Sequence, residues 1–233
     1  MPERDRLVQF YQAELARYGP DDPRALHWIS QHTQGTRFKV LYELLHDWRG
    51  ISIADIGCGL GDFCGFLTEQ GHPVVPLGDS SGGSTLRPGA VQYVGYDISP
   101  KLITAAKEKY PQGRFEVRDI LSEGMVEPVD YVMVCGTFNI RLENHEKFLF
   151  DMLRVMYESC RRAVAFNFLA PAKSDSNFEG FYYSIEPEKV MTFCRSLEPN
   201  LVQMRENYLS GDCTILMRKD DAPWLMGGQP AAE

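Results

Sequence analysis

The stretch that decides the fold reads IADIGCGLGDFCGFL, Ile53 to Leu67, and follows Ile51 and Ser52. It opens as a short apolar run, of the length a buried strand takes, and closes as a helix-like one, GDFCGFLTEQG, stopped by Gly71. Between the two, Gly57, Gly59 and Gly61 occupy every second position. A tight strand-to-helix turn uses one or two glycines; three bring bare backbone close to something else. A ligand lying against such a turn meets main-chain N–H groups and the positive end of the helix.

Working outward, RLVQFYQAELARYG carries helical spacing in Leu7, Phe10, Tyr11 and Leu15 and stops at Gly19–Pro20. DPRALHWISQ and TRFKVLYELLHDW read as two further helices, the second ending at Gly50. Beyond the glycines comes a polar loop, GDSSGGSTLRPGA. VQYVGYD then reads as a strand, and SPKLITAAKEKY as a helix opened by its Ser-Pro pair. GRFEVRD, VDYVMVCG and RRAVAFNFL are strands, with NHEKFLFDMLRVMYESC and EPEKVMTFCRSL as helices among them, and LVQMRENYL pairs with CTILMRK as a closing hairpin. Strand and helix alternate, and the inner strands are apolar on both faces, as in a parallel sheet covered by helices. The expected class is α/β, a Rossmann-like three-layer sandwich on a mostly parallel seven-stranded sheet with an antiparallel edge strand. Residues 1–50 are expected to form a helical lid or cap, 51–220 the α/β domain, and 221–233 a loose tail without periodicity.

The 233 residues suit one substantial domain. With 44% hydrophobic and 24% charged residues, a core can form without disulfides or metals. The net charge of −8 argues against a general nucleic-acid or membrane-surface binder, which presents a basic face. No stretch is apolar for the roughly 20 residues a membrane helix needs, and none resembles a signal peptide. Cys58, Cys64, Cys135, Cys160, Cys194 and Cys213 lack zinc-site spacing, so no metal is expected. Most lie in apolar runs and read as reduced thiols of a cytoplasmic protein.

In open α/β sheets, ligands lie beyond the carboxyl ends of the strands, where the strand order reverses. The residues that follow each strand are Asp55 to Gly61, Asp97, Asp119, Cys135 to Asn139, and Asn167 with Phe168. Three nucleotide ligands compete for the glycine run. A P-loop ends in Gly-Lys-Ser/Thr, which is absent. A dinucleotide turn, G-x-G-x-x-G, has Asp62 at its last position here; that carboxylate suits a helix N-terminus but repels a pyrophosphate. A nucleoside without phosphate fits best.

These residues resemble the motifs of class I S-adenosylmethionine-dependent methyltransferases. IADIGCGLGDF is similar to their first motif, with an acidic residue two positions before G-x-G-x-G. YVGYDISPKLITAAKEKYP resembles their second strand and helix, and FEVRDIL their third strand; the whole resemblance covers roughly residues 40 to 170. It implies S-adenosylmethionine as cofactor. Gly57, Cys58, Gly59 and Gly61 would lie along its methionine portion, and Asp97 would take both ribose hydroxyls. Asp119 and the main chain of Ile120 would meet the adenine, with Ile98 and Leu121 on its faces. Asp55 and the ring of Phe138 are expected beside the cationic sulfonium, and Cys135 completes the cofactor set. Arg37 is the candidate for the methionine carboxylate through its planar fork; the alternative is a helix-surface arginine. The interval from the glycines to Asp97 exceeds the usual span of about 20 residues, so Asp79 rivals it. Asp97 is preferred because it ends a strand and precedes a helix start.

Trp28, Asn139, Phe178, Tyr182 and Tyr183 are the candidate acceptor residues, since loops placed by a rigid sheet carry specificity. His27, His32, His46, His72 and His145 form no triad; His145 and Glu143, near the start of the helix after the fourth strand, are the candidates for a general base. In-line methyl transfer asks chiefly for alignment and exclusion of water, and a base only when the acceptor is still protonated. The run CGTFN lacks the Asn/Asp-Pro-Pro-aromatic pattern of amino-nucleobase methyltransferases. A small-molecule acceptor is expected. The alternatives are a protein or nucleic-acid acceptor, a cofactor-binding scaffold without turnover, and an NAD dehydrogenase. The loop from Leu77 to Ala90 either lines the acceptor side or is a plain insertion.

Overall fold

The computed structural model describes residues 3–45, 48–78, 89–171, 180–198 and 201–219. His46, Asp79, Phe178, most of the Leu77–Ala90 loop and the 221–233 tail lie outside them.

Strand β1 (Ser52–Ile56) is fully buried and lies between β3 (Val91–Asp97) and β5 (Val129–Val134), parallel to both. Beyond β5 come β6 (Cys160–Leu169), β8 (Asp212–Arg218) and β7 (Val202–Arg205). On the far side of β3, two short parallel strands share one edge: β2 (Val74–Pro76) along its first half and β4 (Arg114–Val117) along its second. The sheet thus has eight strands rather than the expected seven. The added one, β2, spans only three residues ahead of the polar loop, too short to stand out as a periodic segment.

The two last strands pair antiparallel as expected, but their placement differs. Strand β8 is inserted between β6 and β7 and runs antiparallel to both, which leaves β7 at the edge. Composition explains the order. Residues 212–217 of β8 are all buried, as an inner strand requires, whereas β7 stays half-buried to exposed.

Helices α2 (Gln31–Leu45), α3 (Asp62–Glu69) and α4 (Pro100–Lys109) cover one face through Phe38, Leu41, Phe63, Leu67 and Ile103. The short α5 (Ile120–Glu123), α6 (His145–Ser159) and α7 (Pro187–Leu197) cover the other through Ile120, Leu149, Met156 and Val190. Local chemistry starts these helices. The Ser99 hydroxyl caps α4 at Leu102 N–H with Pro100 in the first turn, and Ser30 and Thr33 exchange hydrogen bonds of 3.2 Å ahead of α2.

DPRALHWISQ does not make the expected helix. Asp22 and Pro23 start a single 3₁₀ turn, Pro23–Leu26, and His27 ends it in the left-handed region at φ 59°. The chain is thereby redirected over the sheet's carboxyl edge. Helix α1 (Glu3–Tyr18) buries none of its residues fully; Tyr11, Leu15 and Tyr18 pack on Ala25, Leu60 and Leu102 as a small separate core. Among the described residues, no helix is long and apolar enough to cross a membrane.

Candidate functional site

The chain moves outward from β1 to β3 and β4, then returns to β5 on the other side of β1, so the strand order reverses between β1 and β5. A cavity of about 690 Å³ opens there, over the carboxyl ends of the strands. Its floor is Gly57 and Gly59 after β1, Asp97 and Ile98 after β3, Asp119 to Leu121 after β4, and Cys135 to Thr137 after β5. Leu7, Val8 and Tyr11 of α1 form part of the opposite wall.

The three glycines serve three separate contacts. All have positive φ, 69° at Gly57, 55° at Gly59 and 75° at Gly61. A Cβ on Gly57 would lie 2.0 Å from Thr137 Oγ1, so the loops after β1 and β5 touch at the crevice. On Gly59 it would lie 2.8 Å from Leu26, and on Gly61 2.6 Å from the Phe115 ring. Gly61 therefore permits helix packing and does not line the cavity.

Asp97 ends β3 on the cavity wall. Its Oδ2 accepts the Gly59 N–H at 3.0 Å and its Oδ1 the Ser99 N–H at 2.8 Å. Burial pushes its carboxyl up to about 6, although main-chain donors at Ser99, Gly59 and Ile98 favour the ionised form. Asp119 caps α5 by accepting Leu121 N–H at 3.1 Å, and its other oxygen lies 3.5 Å from Arg4 of α1. Ile98, Ile120 and Leu121 line the same side.

Other expected cofactor residues stand elsewhere. Asp55 does not line the cavity: it is buried and accepts the Tyr93 hydroxyl at 2.7 Å, and burial pushes its carboxyl up to about 7. The pleat turns it onto the face shared by Ile53 and covered by α2 and α3. Cys58 packs on that face too, in the space left by Gly95, whose Cβ would come 2.7 Å from its sulfur. Phe138 is 1% exposed, packs in T-shaped contacts with Phe148 and Phe166 in the opposite core, and does not line the cavity. Cys135 does line the cavity; burial raises its pKa, so the thiol is protonated.

Arg37 lines the cavity, but its fork is engaged. Nε and Nη2 each donate at 2.6 Å to the carboxylate of Asp212, which is itself buried. Asn167 joins the network, donating to Asp212 at 3.3 Å and accepting the Gly136 N–H at 2.7 Å. The guanidinium also lies 5.1 Å from the centroid of Trp28, whose ring covers Gly136. Arg37 thus positions Trp28 and the loop after β5.

Asp62 is turned out of the main cavity, hydrogen-bonded by Gln34 at 2.9 Å, Lys109 at 2.9 Å and Tyr110 at 3.2 Å. The expected repulsion of a pyrophosphate therefore does not act. A steric barrier takes its place, because Leu26 sits on Gly59 and covers the turn into α3.

The acceptor candidates Trp28, Asn139, Tyr182 and Tyr183 all line the cavity. Residues 180–185 lie along Asn139–Arg141: Ile140 bridges to Tyr182, and Tyr183 N–H donates to Asn139 O at 2.8 Å. Asn139 is buried and its Oδ1 has no hydrogen-bond partner; the indole N–H of Trp28 is likewise buried and unpartnered. Neither base candidate reaches the cavity. His145 is buried, stacks on Tyr183 with centroids 3.9 Å apart, and is held down to about 4 by burial. Glu143 is exposed and pairs with Arg6 of α1 at 2.8 Å.

Sequence reasoning missed Leu7 and Tyr11, which read as part of the apolar stripe of an ordinary helix, and Val8 beside them. It also missed Arg118, Arg141 and Asp212. Arg118 and Asp212 had a usable signal, since one directly follows β4 and the other opens β8 at the sheet's carboxyl edge.

No protein-family model matches the chain, nor does any curated protein. Solved structures do. Magnesium protoporphyrin IX methyltransferase ChlM from Synechocystis PCC 6803, crystallised with SAH, superposes with a TM-score of 0.63 at 16% identity, covering 93% of this chain and 97% of its own. The DhpI–SAM–HEP complex matches with a TM-score of 0.60 at 13% identity, covering 91% and 95%. The N-methyltransferase NodS from Bradyrhizobium japonicum WM9, in complex with SAH, matches with 0.58 at 16% identity, covering 89% and 97%. The chain therefore has the fold of the S-adenosylmethionine-dependent methyltransferases, along nearly its whole described length.

Proposed function

We propose that this chain binds S-adenosylmethionine and transfers its methyl group to a small-molecule acceptor. One observation carries the reading: Asp97 and Asp119 line a single cavity together with Gly57 and Gly59 at the point where the strand order reverses. Asp97 would hold the ribose hydroxyls, a pair of charge-assisted hydrogen bonds. Asp119, Ile98, Ile120 and Leu121 would hold the adenine. When bound, the cofactor supplies a methyl carbon activated by a sulfonium leaving group. The chain's own work is then to align an acceptor and keep water out.

Two features favour this reading over a dinucleotide and over a large acceptor. Leu26 covers the turn into α3, where a pyrophosphate would seek main-chain donors. Helix α1 roofs the cavity, pinned by Arg6 to Glu143, by Glu3 to the Glu143 N–H at 2.8 Å, and by Phe10 packed at a tilt on His27 with centroids 4.6 Å apart. A roof of that kind suits an acceptor small enough to be enclosed.

Calorimetric titration with S-adenosylhomocysteine and, separately, NAD tests the cofactor. Binding of the first alone supports the reading, and binding of NAD alone overturns it. Incubation of the protein with methyl-labelled S-adenosylmethionine and a low-molecular-weight cell extract tests turnover. Binding without labelled product would leave a scaffold.

A further inference from the structure

The loop after β5 carries two polar groups that the reading above does not use. Asn139, 7% exposed, presents a buried Oδ1 that accepts nothing. Arg141 lines the same cavity, and no carboxylate among the described residues pairs with it. Its recorded contacts are Nη2 donating to Tyr182 O at 3.1 Å and the guanidinium 5.2 Å from the Tyr183 centroid. The other arginines on the cavity wall are all engaged: Arg37 by Asp212, Arg4 by Asp119, and Arg118 by Glu116 and Glu123.

Backbone geometry puts the two groups to work together. Ile140 between them is extended, at φ −86° and ψ 129°, and bridges to Tyr182. Side chains two positions apart on extended backbone share a face, with Cα atoms about 6.6 Å apart. The rest of this wall is mostly apolar or aromatic: Trp28, Phe148, Met152, Leu169 and Tyr182. An unfilled acceptor atom on a buried side chain and an exposed cation without a carboxylate partner among the described residues thus stand two positions apart on a mostly apolar wall. The buried Oδ1 has a desolvation cost that a donor would offset, and the exposed guanidinium can form a charge-assisted pair with an anion in the cavity.

We propose that the methyl acceptor is a small amphiphilic carboxylate, with its carboxylate on Arg141 and an N–H or O–H of the same molecule donated to Asn139 Oδ1. The proposal rests on the reading of the cavity as a methyl-transfer site. A single guanidinium, with one N–H group already given to Tyr182 O, suits a monoanion better than a doubly charged phosphate.

The test uses the full chain saturated with S-adenosylhomocysteine and three matched probes, each carrying a hydroxyl for Asn139: 4-hydroxyphenylacetate, its neutral amide 4-hydroxyphenylacetamide, and the cation tyramine. Calorimetry or ligand-observed NMR reads the affinities. 4-Hydroxyphenylacetate is expected to bind about tenfold tighter than the amide, and both tighter than the amine. Arg141→Gln should erase the preference for the acid over its amide, and Arg141→Lys should keep part of it. Unchanged affinity for S-adenosylhomocysteine in both variants shows that the fold and the cofactor side are intact. Equal binding of acid and amide by the wild type, tighter binding of the amine, no binding of any probe, or a preference that survives Arg141→Gln overturns the proposal. Failure of the wild type to bind S-adenosylhomocysteine overturns the underlying reading instead.

Discussion

Asp97 Oδ2 accepts the main-chain N–H of Gly59 at 3.0 Å, so the end of β3 and the glycine loop after β1 are held as one piece. The same carboxylate lines the cavity. A group that both braces the loop and faces the ligand has two effects when removed. Asp97→Ala should weaken S-adenosylhomocysteine about 100-fold or more, given roughly 1.5–3 kcal/mol for each of two charge-assisted hydrogen bonds. Asp97→Asn keeps an acceptor for Gly59 and should lose affinity with less loss of stability. Unchanged affinity in Asp97→Ala by calorimetry would transfer the ribose role elsewhere.

Asp97 also predicts a pH dependence. Burial raises its folded-state pKa to about 6. A carboxyl raised in this way stabilises the fold most below its unfolded pKa, and that contribution is lost as pH rises through about 6. A cofactor whose hydroxyls donate to the ionised form has the opposite preference. Its affinity should hold above about pH 6 and decline below it, with proton release on binding near that pH. Titrations in buffers of different ionisation enthalpy check this; affinity that rises on acidification would contradict it.

Gly57→Ala should be far more damaging than Gly71→Ala. Both positions have positive φ, but a Cβ at Gly57 would sit 2.0 Å from Thr137 Oγ1, whereas at Gly71 nothing lies within 4 Å. Denaturant unfolding should give about 1–2 kcal/mol for Gly71→Ala from backbone strain alone. For Gly57→Ala, strain and overpacking together should cost on the order of 2–5 kcal/mol. Thr137→Ala should recover part of that loss in the double variant. Equal costs at the two glycines would mean that the loops after β1 and β5 do not touch.

The Arg37–Asp212 pair is buried on both sides and bidentate. Arg37→Met strands a buried carboxylate and should cost about 3–5 kcal/mol. Combining it with Asp212→Asn removes the charge and keeps a group for Asn167, so the double variant should lose less than the two single losses added together. Additive losses in chemical denaturation would show that the two do not act as a unit.

His145→Phe should leave turnover and its pH profile intact. The ring is buried, held down to about 4, and stacked on Tyr183 away from the cavity. A fall in kcat of roughly 10²–10⁴, the size that loss of a general base brings, would restore it as a catalyst.

What could be read from the chain alone was whatever is local. The alternation of strands and helices, the Ser99–Pro100 helix start, the glycine turn and the placement of Asp97 and Asp119 at strand ends all follow from neighbouring residues. Tertiary structure decided the rest, because the deciding contact lay far away or depended on direction. Asp55 looks like a site residue until the pleat turns it toward Tyr93. Arg37 looks free until Asp212, 175 positions later, takes its fork. Phe138 and Gly61 stand next to site residues in sequence yet face the cores on either side of the sheet. Helix α1 became a roof only because the chain turns at His27, a left-handed residue that no periodicity announces. Short-range sterics and hydrogen bonding write themselves into neighbouring letters; the direction of a side chain, and the distant partner that meets it, exist only once the sheet has closed.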